Sequence, residues 1–382
     1  MSPLKLILVV GATGAQGQAV IGALLAPDEK GNPSPYTVRA LTRDPLSTQA
    51  QALAARGVEC FQGLSPFSPS LGERNVDHGN AGSFTDFPAV AKALEGAYGA
   101  WINTDGGTVG EMEEIYAGIR IYEVAKRIPS LRHYVWSNLP YVLKKAGFNP
   151  EYNAVNTNGK GRVADWLSVQ PSVVPVADDA LSWSIVTSSP YMDMLKGSLF
   201  RPMNIRKDGT VVFAAPIEDG RVPMVALEDL GWWARWTFDH RSETSGRNLG
   251  VTSEFVDWNY LVEIFTKVTG KPAVFKRLTL DEWWSLFDEK LVSLPFGNER
   301  RDEPSSTVTL RDNYSGFWRI LRDGFFDDMY DMGWIRSIHP ETYTLEKWLR
   351  VSNYDAMDKP VLKNAVDGKR NWGFKADLAA LL

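Results

Sequence analysis

The chain of 382 residues carries 41 Lys and Arg against 46 Asp and Glu, which gives a formal net charge of −5. This acidic balance argues against a binder of duplex nucleic acid, which usually carries a basic surplus on one face. The single cysteine, Cys60, excludes an internal disulfide and a cysteine-based metal site, and the four histidines show no metal-ligand spacing. We therefore expect a globular protein of ordinary composition, with no structural metal and no nucleic-acid partner.

The first apolar run covers residues 4–10. It is too short to span a membrane, and no small-residue cleavage site follows it, so we expect a cytoplasmic protein with no membrane partner. The β-branched residues of this run predict a strand that is buried on both faces of a parallel sheet.

Strand and helix patterns alternate from this run to residue 187. The predicted strands are 4–10, 36–41, 58–61, 98–103, 132–136 and 182–187. The predicted helices are 18–25, 51–55, 87–94, 111–127 and 160–169, the fourth with Ile115, Ile119, Tyr122, Val124 and Ala125 on its apolar side. Such alternation indicates repeated βαβ units and an α/β fold with a doubly wound parallel sheet.

The alternation breaks down after residue 190. We therefore divide the chain into a first domain, 1–190, and a smaller C-terminal α+β lobe, 191–382. The elements predicted for the lobe are two short strands, 211–214 and 222–225, and a helix at 258–268 that Asp257 can cap.

Two segments lack any periodic pattern. Residues 64–78 are rich in Ser, Pro and Gly and are predicted to be an insertion in the first domain. Residues 297–306 are polar and turn-rich, which predicts a mobile surface loop.

A glycine-rich turn connects the first strand to the first helix. One glycine allows the tight turn, one lets a dinucleotide approach the backbone, and one lets the helix pack close to its strand. The start of the helix then offers free N–H groups and a positive dipole end to a pyrophosphate. The residues expected to bind the cofactor here are Gly11, Thr13, Gly14, Ala15, Gln16 and Gly17.

The end of the second strand selects the dinucleotide. An acidic residue there would accept hydrogen bonds from a ribose 2′-hydroxyl, but this chain has Thr42 and Arg43. Arg43 can pair with a 2′-phosphate, which favours NADP(H) over NAD. Asp44 provides the counter-argument, because it could serve a hydroxyl or cap the next helix.

Ligands in doubly wound sheets lie at the carboxyl ends of the strands. That rule places Asn103 and Thr104 beside the cofactor, and Ser189, Pro190 and Tyr191 beside the nicotinamide. The residues predicted to form the wall of a substrate pocket are Tyr191, Met192, Met194, Trp232 and Trp233, although core packing explains them equally well.

These motifs resemble the NmrA-like family of atypical short-chain dehydrogenases, over about three quarters of the chain. The stretches that carry the resemblance are Gly11-Ala-Thr-Gly14-Ala-Gln-Gly17, Val38-Arg39-Ala-Leu-Thr-Arg43-Asp-Pro45, His133-Tyr-Val-Trp-Ser137-Asn-Leu139, Asn158-Gly-Lys160-Gly-Arg-Val163, Val222-Pro-Met-Val-Ala-Leu-Glu-Asp229-Leu-Gly231 and Phe265-Thr-Lys-Val-Thr-Gly270-Lys271. The resemblance implies a Rossmann-type NADP-binding domain with a smaller substrate-binding lobe over the nicotinamide end of the cleft.

The short-chain dehydrogenase mechanism uses a serine, a tyrosine acid and a lysine that lowers the pKa of the tyrosine. Ser137, at the end of the fifth strand, takes the place of the serine. Tyr141 and Lys145 have the Tyr-x-x-x-Lys spacing, but they follow Ser137 too closely, and coincidence is the competing explanation.

Two further candidates for this chemistry follow along the chain. Tyr152 is better spaced from Ser137, yet Asn156 occupies the position of its lysine, and Tyr152 could simply be a packing residue. By resemblance to isoflavone-reductase-type enzymes, Lys160 approaches the nicotinamide ribose and acts as a general acid or base. The alternative is that Lys160 only binds the ribose or starts a helix.

Two main functions remain open at this point, beside other chemistry on the same scaffold, such as an isomerisation with the bound cofactor as a structural part. The first is an NADPH-dependent reductase of a hydrophobic, aromatic or polyketide-like ketone, enone or imine, as in secondary metabolism. The second is a non-catalytic NADP(H) sensor that binds a protein partner, since the usual Tyr-x-x-x-Lys is out of place. A homodimer is compatible with either function.

Overall fold

The computed structural model describes residues 3–28, 30–62, 82–174, 178–197, 199–297, 308–357 and 375–382. Its strands are β1 (Lys5–Val10), β2 (Tyr36–Leu41), β3 (Glu59–Phe61), β4 (Gly99–Ile102), β5 (His133–Asn138), β6 (Ser182–Thr187), β7 (Asn204–Ile205), β8 (Val211–Ala215), β9 (Arg221–Met224), β10 (Asn248–Gly250), β11 (Glu254–Asp257) and β12 (Ala273–Arg277).

The helices alternate with these strands in the first half and dominate the end of the chain. They are α1 (Ala15–Leu25), α2 (Thr48–Ala54), α3 (Phe87–Leu94), α4 (Gly106–Val109), α5 (Glu111–Ala125), α6 (Val142–Lys145), α7 (Val155–Ser168), α8 (Leu227–Asp239), α9 (Arg241–Thr244), α10 (Trp258–Thr269), α11 (Leu280–Ser285), α12 (Glu289–Val292), α13 (Leu310–Arg322), α14 (Met332–Ile338), α15 (Leu345–Val351) and α16 (Ala376–Ala379). Short 3-10 helices cover Pro150–Tyr152 and Met192–Lys196.

The main sheet has seven strands, in the order β10-β6-β5-β4-β1-β2-β3, and every neighbouring pair is parallel. In β1, Val9 lies opposite Ala40 of β2 on one side and Trp101 of β4 on the other. The strand order therefore reverses at β1 and β4, where ligands of such sheets bind. The predicted α/β fold with a doubly wound parallel sheet is confirmed.

Helices cover both faces of this sheet, which explains why β1 is a continuous apolar run. On one face α1 packs against α8, and Gly231 lets the two backbones approach, since a Cβ there would lie 2.6 Å from the Ala19 carbonyl oxygen. On the other face α5 packs against α7. Gly118 makes room there, because its Cβ would lie 2.7 Å from Val163 and 2.9 Å from the Trp136 ring.

The second half builds two smaller sheets, a mixed one in the order β12-β8-β7 and an antiparallel pair, β11 and β9. As predicted, Asp257 caps α10, accepting a hydrogen bond of 2.9 Å from the backbone N–H of Tyr260. No helix within the described residues is long and apolar enough to cross a membrane.

Several sequence predictions differ from the structure. The sequence did not predict β10, yet its parallel pairing with β6 gives the main sheet a strand from beyond residue 190. The domain boundary at residue 190 stays a prediction. The main sheet, however, contains strands from both sides of that residue. The proposed insertion, 64–78, lies outside the described residues, as does the predicted loop at 297–306 apart from Gly297.

Helix α7 begins at Val155 rather than at residue 160, so Lys160 lies inside the helix and does not start it. The buried face of α5 is partly rotated from the predicted one. Tyr122, Val124 and Ala125 are buried as predicted, but Glu114, Ala117, Gly118 and Ile121 are buried with them, whereas Ile115 and Ile119 are only half-buried. The rotation follows from packing against α7, which needs small residues at the contact.

Candidate functional site

The glycine turn lies at the carboxyl end of β1, and a side chain would be obstructed at Gly11 and at Gly17. Gly11 has a φ of +78°, and a Cβ on it would lie 2.8 Å from the Asn103 carbonyl oxygen. A Cβ on Gly17 would lie 2.3 Å from the Gly11 carbonyl oxygen. Gly14 donates its N–H to that same oxygen at 3.1 Å and immediately precedes α1.

These contacts bring the end of β4 and the start of α1 together in a tight cradle. The N-terminus of the 11-residue helix α1 opens into it, with no acidic residue in the first turn. Free N–H groups and a positive dipole end suit a pyrophosphate. The residues present therefore fit a dinucleotide, with Thr13, Ala15 and Gln16 placed on the same turn.

The end of β2 presents Arg43 as an exposed side chain. Asp44 is turned toward its own loop, where its carboxylate accepts a hydrogen bond of 2.9 Å from the Leu46 backbone N–H. Ser47, and not Asp44, caps α2. Thr42 bonds to the backbone of Asp44 at 3.2 Å, which orders this corner. Arg43 is thus an exposed cationic side chain at the strand end where a 2′-phosphate is expected.

Lys160 is 7% exposed, and its ammonium is held at the carboxyl ends of β4 and β5. Its Nζ donates to Asn103 Oδ1 at 3.1 Å, to Thr104 Oγ1 at 3.0 Å and to the Thr104 carbonyl oxygen at 2.9 Å, with a longer bond of 3.4 Å to the Ser137 carbonyl oxygen. Burial lowers the pKa of Lys160 below that of a free lysine, because its effect is larger than the opposite effect of the Glu114 and Asp105 carboxylates. The sequence-predicted residues Asn103, Thr104, Ser137 and Lys160 therefore form one cluster.

Gln16 extends this cluster across the cleft. Its Oε1 accepts from Ser137 Oγ at 2.7 Å and from the Trp101 indole at 3.3 Å, and its amide donates to the Tyr191 hydroxyl at 3.2 Å. Burial raises the pKa of Tyr191 to about 12, so its phenol stays protonated at neutral pH. The sequence placed Gln16 and Tyr191 in the site. It did not indicate that Gln16 connects Ser137 to Tyr191 through hydrogen bonds.

Glu114 is the site residue that the sequence reasoning missed. Its side chain is completely buried, and Oε1 lies 3.5 Å from Lys160 Nζ. The signal was present, because Glu114 falls three, four and seven residues before Ala117, Gly118 and Ile121 on one helical face. An acidic residue on the buried face of a helix calls for a partner.

Tyr152 lies apart from the Lys160 cluster. The Tyr152 hydroxyl donates to Asp323 at 2.8 Å, and its ring packs against Phe325 at 4.6 Å between centroids. The hydrogen bond to Asp323 is the main cause of its raised pKa. Tyr152 thus packs against the segment that follows α13, as its alternative explanation proposed.

Tyr141 and Lys145 also lie elsewhere. Tyr141 precedes α6 and packs on Gly161, whose Cβ would lie 2.4 Å from the Cβ of Tyr141. Lys145 pairs with Asp328 and donates to the Phe325 carbonyl oxygen at 2.8 Å. The Tyr141 ring packs against Phe148 at 6.3 Å and against the Arg162 guanidinium at 5.3 Å, so within the described residues the hydrogen bonds and ring contacts of the Tyr141–Lys145 pair do not include Lys160.

The predicted pocket wall is only partly assembled. Tyr191 and the half-buried Met194 belong to the segment at the cleft, and Val225 N donates to the Pro190 carbonyl oxygen at 2.9 Å. Trp232 instead stacks on His339 at 4.0 Å, and Trp233 stacks on Trp334 at 5.2 Å. Met192 and Trp233 are therefore buried in the main hydrophobic core and the half-buried Trp232 packs against it, the alternative that the sequence left open.

The described residues contain no group of three or more acidic, histidine or cysteine side chains that could hold a metal ion. The polar side chains that the structure brings together beside the glycine turn are those of Lys160, Glu114, Ser137, Gln16 and Tyr191. The sequence model of the NmrA-like family matches residues 3–299. The chain belongs to the NmrA-like family. The expected NAD(P)-binding fold of this family is confirmed.

Curated relatives carry the same family name. The NmrA-like family domain-containing oxidoreductase malD of Malbranchea aurantiaca is 27% identical over 290 residues, which cover 72% of this chain and 76% of the relative. The oxidoreductase himF of Aspergillus japonicus is 25% identical over 285 residues, with the same coverage of 72% and 76%. Both relatives are named oxidoreductases, in agreement with the enzyme class predicted from sequence.

Solved structures share the fold at low identity. NmrA, a negative transcriptional regulator, in complex with NAD has a TM-score of 0.63 at 18% identity, covering 93% of this chain and 99% of NmrA. Its complex with NADP gives a TM-score of 0.57. The NADPH complex of an NADPH-dependent quinone oxidoreductase from Escherichia coli gives 0.60 at 18% identity, covering 91% of this chain and 100% of that enzyme.

Proposed function

We propose that this member of the NmrA-like family is an NADPH-dependent reductase of a hydrophobic, aromatic or polyketide-like ketone, enone or imine. The observation that carries the proposal is the buried ammonium of Lys160, fixed at the carboxyl ends of β4 and β5 by Asn103 and Thr104. The names of the fungal relatives support an oxidoreductase. The half-buried side chains of Tyr191 and Met194, in the segment at the cleft, support an apolar substrate.

The cofactor would be held by the glycine turn and by the end of β2. Arg43 would pair with the 2′-phosphate, and the backbone N–H groups at the start of α1 would bind the pyrophosphate. When bound, the nicotinamide supplies the hydride. The NADP and NADPH complexes of the structural neighbours support this choice of cofactor.

Residues of the chain would supply the proton that accompanies the hydride. Lys160 Nζ holds a proton that it can donate to the oxygen or nitrogen of the substrate, and its burial excludes competing water. Ser137 Oγ and the Tyr191 hydroxyl, both hydrogen-bonded to Gln16, line the same cleft and can orient a polar substrate group. The raised pKa of Tyr191 keeps its phenol a donor.

The proposal is tested by following NADPH oxidation with a panel of aromatic ketones, enones and imines. We expect turnover with at least one of them, and a loss of about 100-fold or more in Lys160→Ala, the usual size of a lost general acid. Lys144→Ala, on the exposed side of α6, is the matched control and should keep full activity.

An enzyme that binds NADPH but oxidises it with no member of the panel would contradict the reductase. The displaced position of Tyr141 and Tyr152 would then favour the NADP(H) sensor. A sensor must bind NADP⁺ and NADPH with different affinities and change its binding to a protein partner accordingly. Equal affinities would exclude that function as well.

The choice of NADP(H) over NAD(H) gives a second prediction. Replacing Arg43 with Ala should weaken NADPH binding about tenfold and leave NADH binding nearly unchanged, because a charge-assisted hydrogen bond to the 2′-phosphate is lost. Quenching of protein fluorescence gives both dissociation constants. Arg56→Ala removes an exposed arginine from the same domain and should change neither value. An unaltered NADPH-to-NADH ratio in Arg43→Ala would count against the 2′-phosphate site.

A further inference from the structure

Glu114 is a completely buried carboxylate that contacts Thr104 and Lys160 of the Lys160 cluster. Its Oε1 accepts from Thr104 Oγ1 at 2.6 Å and from the Gly106 backbone N–H at 3.0 Å, and lies 3.5 Å from Lys160 Nζ. Its Oε2 is also buried and has no hydrogen-bond partner among the described residues. A charge in such a place needs a counter-ion, because water cannot reach it.

Two glycines create the space for this carboxylate. A Cβ on Gly106 would lie 2.2 Å from Glu114 Oε2, and a Cβ on Gly159 would lie 2.7 Å from the same atom. Gly159 directly precedes Lys160 on α7, whereas Gly106 begins α4. The backbones of both helices therefore enclose the carboxylate from two sides and fix its direction toward the lysine.

We propose that Glu114 is the positioning residue of this site, which keeps Lys160 in its ammonium form and aims that ammonium at the cleft. The inference rests on the proposed function and deepens it, since it makes Lys160 a proton donor rather than a neutral general base. The shared contacts carry the argument: Thr104 Oγ1 donates to Glu114 and accepts from Lys160, so one hydroxyl orders both charged groups.

The charges that act on Lys160 come from two neighbouring elements. Glu114 belongs to α5, and Asp105 precedes α4; both carboxylates raise the pKa of Lys160 against the lowering caused by burial. Since Asp105 is exposed, water screens its charge more strongly than that of Glu114. Glu114 is therefore the main group that holds the proton on Lys160.

The substitution Glu114→Gln tests the charge, because glutamine keeps the size and an acceptor for Thr104. We expect the alkaline limb of the pH–activity profile to move down by about one pH unit or more, since the lysine loses its proton more easily without the carboxylate. The pH dependence of NADPH affinity should move in the same direction. Glu113→Gln, one residue earlier and exposed on α5, should leave both profiles in place.

An unchanged alkaline limb and an unchanged affinity profile in folded Glu114→Gln would overturn the proposal. A second measurement needs no substrate. Lys160→Met leaves Glu114 buried without its counter-ion and should lower the melting temperature of the protein. Adding Glu114→Gln to Lys160→Met should recover part of that loss, whereas strictly additive losses would also overturn the pairing. The melting temperatures and NADPH titrations test Glu114 even if the substrate panel refutes the reductase.

Discussion

At the scale of single residues, Gly17 has the least freedom to change in the cofactor cradle. A Cβ there would meet the Gly11 carbonyl oxygen at 2.3 Å and Ala12 Cα at 2.6 Å, and both are backbone atoms that cannot rotate away. The sequence predicted this duty for the third glycine of the motif, namely the close packing of the helix on its strand. The tertiary structure supplies the distances.

Gly17→Ala should therefore weaken NADPH binding at least tenfold, because the turn must open to admit the methyl group. Gly22→Ala in the same helix is the matched control, since its Cβ would meet only the end of the Arg56 side chain, at 3.6 Å. That control should bind NADPH normally and gain up to about 1 kcal/mol of stability from helix propensity. Equal NADPH affinity in the two variants, measured by fluorescence titration, would contradict the close-packing explanation.

The lysine and its counter-ion show where residue-level prediction stops. Lys160 was found through its resemblance to a family motif, but that motif lies on α7 alone. Glu114 lies 46 positions earlier on α5, and only the packing of α5 on α7 brings the two together. Local sequence does not show that Glu114 and Lys160 are close in space, because their contact depends on Gly106 and Gly159, which lie in different elements.

At the scale of elements, the strands were predicted better than the helix starts. The bounds of β2, α3 and β6 are those that the sequence predicted. Helix α7 begins five residues early, in a stretch with Asn156, Asn158 and Gly159, which have low helix propensity. Packing of this turn against α4 and α5 overrides the propensity and brings Gly159 against Glu114.

The start of α10 gives a prediction at this scale. Asp257 accepts the Tyr260 N–H at 2.9 Å, so Asp257→Ala should cost about 1 kcal/mol of stability, and Asp257→Asn should cost much less because it retains the cap. Chemical denaturation measures both variants against the unsubstituted protein. A cost as large for Asn as for Ala would mean that the charge, and not the cap, matters there.

At the scale of the whole molecule, Asp229 joins distant segments of the second half around Trp232. Its carboxylate accepts from His339 at 3.0 Å, from Ser253 Oγ at 2.5 Å and from the Tyr343 backbone N–H at 2.9 Å. These contacts join α8 to the segment that follows α14. Trp232 stacks on His339 and therefore packs where α8 meets the segment that follows α14.

The sequence by itself determined the family, the parallel sheet and the place of the dinucleotide turn. Those features depend on local patterns, namely apolar runs, a strand–turn–helix order and glycines at fixed spacing. The tertiary structure decided that Tyr141 and Tyr152 lie outside the cluster, that β10 completes the sheet, and that Glu114 faces Lys160. Each of these features depends on contacts between segments that are distant in sequence. In such contacts burial removes water, so a buried charge must find its counter-ion on another element of the fold.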